Sequence, residues 1–91
     1  MSGELHFERA ERVRGTYLRQ PFTGTVRDVD FSPGPQARRY AIQFDGEVQV
    51  SPPPLRNFRR RVVVVLGPDG GSVDTKGRPD GIAQVRRLDG G

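Results

Sequence analysis

Arg56, Arg59, Arg60 and Arg61 set four guanidinium groups within six residues, with Phe58 among them and no acidic residue anywhere in 49–68. Guanidinium groups grip phosphate through paired hydrogen bonds, and aromatic rings stack on bases. Arg38, Arg39 and Tyr40 form a second basic and aromatic group, and Arg86 with Arg87 a third. If the turn ahead of Val62 lies beside the Tyr40 strand, these groups merge into one anion-binding surface. The expected function is a non-enzymatic binding module whose partner is nucleic acid or another anion. Arg38, Arg39, Arg56, Arg59, Arg60 and Arg61 would contact phosphate, and Phe58 or Tyr40 would stack. The competing reading makes the arginines gatekeepers that keep the adjoining valine run soluble.

The remaining motifs carry no chemistry. Asp28, Asp30 and Ser32 begin like a calcium loop, which needs Gly at its sixth position and Glu at its twelfth. Those positions hold Pro33 and Arg39. The order Asp74-Thr75-Lys76-Gly77 is scrambled relative to aspartyl-phosphate enzymes. Residues 67–71 are glycine-rich but no Gly-Lys-Ser/Thr follows, so they read as a solvated turn. His6 is the lone histidine, with no nucleophile or orienting acid identifiable beside it and no cluster for a metal. No cysteine is present, which excludes disulfides, thiolate zinc sites and a cysteine nucleophile. No cofactor and no metal is expected.

Composition bounds the scaffold that must position the arginines. The 91 residues suit one domain, expected to span 1–91 with its core at about 5–88 and frayed ends at 1–3 and 89–91. A chain of this size buries roughly 60–65% of its unfolded surface, so the core is small. The 12 Gly and 8 Pro break up long helices and favour short strands. The net charge is +4, and 14 of the 15 cations are Arg, a ratio that GC-rich coding alone would produce. No apolar run approaches the ~18 residues that span a bilayer, and the first residues lack a signal-peptide core, so a cytoplasmic setting is expected.

Periodicity supplies the elements. Leu5 and Phe7 alternate with polar neighbours, which suggests a strand from about Leu5, followed by one over 12–17 and a loop over 18–21. In 22–31, Phe22, Gly24 and Val26 share one face while Val29 and Phe31 share the other. A β-bulge between Val26 and Val29 would turn both sets inward. Tyr40, Ile42 and Phe44 alternate cleanly, and Asp45-Gly46 suggests a hairpin with a three-residue loop that pairs Phe44 with Val48. Three prolines end that strand, and 55–58 is expected to form one helical turn. Residues 62–66 are apolar on both faces and need cover on both. That cover could come from Leu5 and Phe7, or from a partner protein or second copy pairing at the strand edge. After a turn at 67–72 and an irregular 73–81, the last strand covers 82–88. The total is five to seven short strands and one short helical turn, an all-β barrel.

The run Arg12-Val-Arg-Gly, Phe22-Thr-Gly-Thr-Val, Tyr40-Ala-Ile-Gln-Phe-Asp-Gly and Val48 resembles SH3-like small barrels of the KOW and Tudor type, over about residues 11–66. That resemblance implies binding of nucleic acid, ribosomal components or peptides. A Tudor-type aromatic cage would draw on Tyr17, Phe22, Tyr40 and Phe44, although their phases read as core. Val48-Gln49-Val50-Ser51 is also similar to the pore motif of type II dihydrofolate reductases, but Ser51 stands where that family has a tyrosine.

Overall fold

The computed structural model describes residues 6–32, 37–51 and 54–88. Six antiparallel strands follow one another: β1 (Arg12–Tyr17), β2 (Gln20–Asp30), β3 (Arg38–Gln49), β4 (Phe58–Leu66), β5 (Gly71–Val73) and β6 (Pro79–Arg87). Each pairs with the next, and β6 returns to β1 to close a barrel. This is the all-β class expected, and a small SH3-like barrel in its general form. The helical turn is not found, since the described residues contain no helix and Phe58 already opens β4. Arg59 and Arg61 pair with Val48 and Gln43 on β3, so the arginine run is strand.

The bulge lies where the phase switch requires it. Val26 pairs with Ile42 and Asp28 with Ala41, leaving Arg27 as the extra residue. The slip returns Val29 to the inner face, opposite Tyr40, where it packs against the core. Phe31 does not follow it inward. It lies past the end of β2, 62% exposed, with the Arg38 guanidinium 4.7 Å from its ring centre. The loop expected over 18–21 is tighter than its sequence suggests. Tyr17 pairs with Gln20 around a two-residue turn, and Leu18 and Arg19 both take positive φ (49° and 67°). Two-residue hairpins favour Asn-Gly because such angles cost an ordinary side chain about 1–2 kcal/mol.

Asp45-Gly46 is not a hairpin. β3 runs through it, and its register with β4 slips between Gln43 and Val48. Residues 45–47 are exposed, while Phe44 and Val48 are both buried. The three-residue offset expected between Phe44 and Val48 therefore exists as a bulge within one strand. Asp45 holds it in place by accepting hydrogen bonds from Arg12 on β1 and Thr23 on β2.

The N-terminal segment is not a strand over its described part, and Leu5 lies outside the described residues. Phe7 is 2% exposed and packs edge-on against Tyr40, with ring centres 5.5 Å apart. Its backbone N–H donates to the Tyr40 hydroxyl at 3.3 Å. The segment then joins β2 through Ala10 N–H to Val26 O (2.7 Å) and Val26 N–H to Glu11 O (2.9 Å). Phe7 thus belongs to the core and leaves the outside of β4 uncovered. Val63 there is 61% exposed, whereas Val62, Val64 and Leu66 point inward. On β6, Ala83 and Val85 face the core and Ile82 faces out.

Candidate functional site

The barrel does not gather the predicted binding residues. Arg38 stands opposite Leu66 at one end of the β3–β4 ladder, and Arg61 stands opposite Gln43, five residues away. At about 3.3 Å per residue the two basic groups are some 16 Å apart along the ladder. Arg39 is held by Asp30 at 2.9 Å, and Arg38 covers Phe31. Tyr40 is 1% exposed, so it cannot stack on a ligand. Arg56, Arg59, Arg60 and Arg61 are exposed, and Phe58 is partly so. Arg59 and Arg61 share a groove, a cleft of about 460 Å³ with Tyr17, Val50, Val62 and Val63. The proposed cage also fails, because Phe22 and Phe44 join Tyr40 in the core.

Arg87, taken with Arg86 as a basic pair, turns inward instead. It binds Glu11 at 2.6 Å, donates to the His6 carbonyl at 2.5 Å and lies over the Phe7 ring. Several acids serve as structural acceptors in the same way. Asp30 accepts from Ser32 and Arg39, Asp74 from the N–H groups of Lys76 and Arg78, and Asp80 from Ser72 and the Ile82 N–H. Among the described residues no group of three or more His, Cys, Asp or Glu could hold a metal ion.

The Asp45 site has the sharpest electrostatic signature. Hydrogen bonds from Arg12 and Thr23 outweigh desolvation and hold its carboxyl well below the usual carboxylate range. The same contact raises the Arg12 guanidinium. A depressed carboxyl contributes stability that is complete above its unfolded pKa of about 3.9 and is lost as pH falls through the folded value. Asp45→Asn is therefore expected to melt below the parent at pH 7, with the gap closing progressively below about pH 4. Because both side chains are nearly half exposed, the gap should be small and shrink in salt. Thermal melts of both proteins across pH and salt check this, and a gap constant down to strongly acidic pH contradicts it.

Two features escaped sequence reasoning. The first is a groove of about 740 Å³ on the outside of β1, β2 and β6, lined by Arg14, Thr16, Phe22, Thr23, Gln84 and Arg86. It depends on β6 closing against β1, a pairing that no local pattern announces. The second is that Phe7 enters the core, so of the covers expected for the outside of β4 the N-terminal segment's Phe7 does not provide one. No helix in the described residues is long and apolar enough to cross a membrane.

No curated protein matches this chain, and no solved structure does. The model of a family described as "Glyoxalase superfamily protein" matches residues 2–86. That match overturns the nucleic-acid-binding function expected from the basic and aromatic groups, since the family is a different kind of module. The dispersal of those groups around the barrel gives the physical reason: a cluster in sequence is not a patch in space. With nearly its whole length matched, the chain belongs to the glyoxalase superfamily family described by that model.

Proposed function

We propose that this chain is a non-enzymatic assembly module of a glyoxalase-superfamily protein, in which two copies join along the outer edge of β4. The observation that carries this reading is the unpaired edge. On one side β4 pairs with β3, but on the other, among the described residues, only Leu66 has a ladder partner, Ser72. Val63, in the middle of that strand, is 61% exposed. An unpaired apolar edge is a template for a further strand. Antiparallel self-pairing about Val63 sets Val62 opposite Val64 and Arg61 opposite Val65, and stops short of Leu66, whose outer edge Ser72 already occupies. No arginine then faces an arginine, which avoids like-charge repulsion across the ladder. A two-fold axis lets the same surface serve both copies. The employment of Asp30, Asp45, Asp74 and Asp80 as structural acceptors favours a non-catalytic role. The KOW- and Tudor-type layout is compatible with this reading as a binding scaffold.

Sedimentation velocity over a concentration series tests it. The parent is expected to move from monomer to dimer, and Val63→Lys to remain monomeric over the same range. Because Val63 is exposed, Val63→Lys should melt within about 0.5 kcal/mol of the parent monomer. A parent that stays monomeric throughout, or a variant that dimerises equally well, overturns the proposal.

A further inference from the structure

We infer that the groove across β1 and β6 is a binding site for a compact small-molecule anion, a phosphate or dicarboxylate group held between Arg14 and Arg86. These two residues stand directly opposite each other in the β1–β6 ladder. Their neighbours Val13 and Val85 are buried, so the two guanidinium groups share the outer face. Directly opposed side chains have Cβ atoms about 4.5–5.5 Å apart, and like charges so placed destabilise a sheet. Three other strand arginines are ion-paired: Arg12 with Asp45, Arg39 with Asp30 and Arg87 with Glu11. Among the described residues Arg14 and Arg86 have no such partner, and no acid lines their groove.

The second observation concerns Arg14 alone. Its Nε is buried from solvent and has no hydrogen-bond acceptor. A buried donor without an acceptor carries its full desolvation penalty, and an anion oxygen at that position would remove it. The surroundings suit a small ligand. The groove volume of about 740 Å³ falls within the usual range for ligand sites, roughly 300–1,000 Å³. Thr16 supplies a hydroxyl. Gln84 spends its Nε2 on the Asp69 carbonyl, which fixes the side chain beside Arg86. Gly15 contributes no side chain between the two arginines' strands, and Phe22 lends apolar surface. Paired guanidiniums favour an anion with two or more charged oxygens, since each can bind in the two-pronged manner.

The test titrates inorganic phosphate and succinate in separate arms against the full chain at constant ionic strength. Amide chemical shifts and melting temperature provide the readouts. In at least one arm, saturable shifts are expected at Gly15, Thr16 and Gln84, with a rise in melting temperature. The arm that responds identifies the phosphate or the carboxylate source. Arg86→Gln should weaken binding about tenfold or more, consistent with loss of one charge-assisted pair. Without anion the same variant should melt no lower than the parent, because it removes the opposed charge. Arg27→Gln, which removes an equal charge from the exposed β2 bulge, should leave binding unchanged. Absence of saturable shifts in both arms, or equal weakening by Arg27→Gln, overturns the site. The dimer proposal stands or falls separately, since neither variant lies on β4.

Discussion

Gly15→Val leaves the barrel unfolded at ambient temperature, and Gly15→Ala lowers its melting temperature by more than about 10 °C. A Cβ at Gly15 would lie 1.8 Å from the backbone oxygen of Gln84 and 3.1 Å from Cα of Val85. Both neighbours are main chain, so no side chain can swing aside. Relief requires β1 and β6 to separate at the rung where Gly15 pairs with Val85. That ladder closes the barrel, and Val13 and Val85, fully buried on either side of it, would open to water. The expected loss is at least about 3 kcal/mol, a large part of the 5–15 kcal/mol that holds a typical domain. Gly46→Ala is the control. Nothing lies within 4 Å of a Cβ there, and the residue sits in the exposed bulge of β3. That change should be neutral or stabilise by about 0.4–1 kcal/mol. Thermal melts of the three proteins decide the matter, and a Gly15→Ala protein that melts like Gly46→Ala would show that β1 and β6 do not meet so closely.

Gly15 also illustrates which parts of the fold were legible beforehand. Within one strand, side-chain phase is a local property. The switch between Val26 and Val29 therefore located the β2 bulge, and the alternation of Tyr40, Ile42 and Phe44 located the inner face of β3. Turn chemistry was less reliable where tertiary contacts outweighed it. Asp45-Gly46 suggested a chain reversal, yet Arg12 and Thr23 capture the Asp45 carboxylate and keep the strand running. Leu18 and Arg19 carry no turn signal, yet they form the tightest hairpin because the strands on either side pair right up to it. Functional inference had the weakest basis, because it needed distances between segments. Arg38 and Arg61 read as neighbours in type but are separated along a ladder, whereas Arg14 and Arg86, far apart in sequence, are cross-strand neighbours.

The segment ahead of β1 should prove as important to stability as any strand. Phe7→Ala is expected to destabilise the barrel by about 3–5 kcal/mol, the usual range for a buried phenylalanine. Phe7 is 2% exposed although it lies outside every strand, so its burial depends on the contacts that hold its segment down. Those contacts come from two residues. Tyr40 meets the ring edge-on and accepts the Phe7 N–H, Arg87 lies with its guanidinium carbon 5.6 Å from the ring centre, and Arg87 also binds Glu11 and the His6 carbonyl. Removing the ring leaves Tyr40 facing a cavity and strips the arginine of its apolar support. The backbone bonds to Val26 should survive, because they need only Ala10 and Glu11. Phe7→Leu separates apolar volume from ring geometry. It keeps most of the buried area but loses the aromatic pair, worth about 0.5–1.5 kcal/mol beyond area, so it should fall between Ala and parent. Chemical denaturation of the three proteins, read as midpoint and slope, gives the order parent, Leu, Ala. If Ala melts with the parent, the N-terminal segment packs on the barrel without completing its core. The size of the fall therefore measures whether this small β-barrel needs a residue from outside its own sheet to fill its interior.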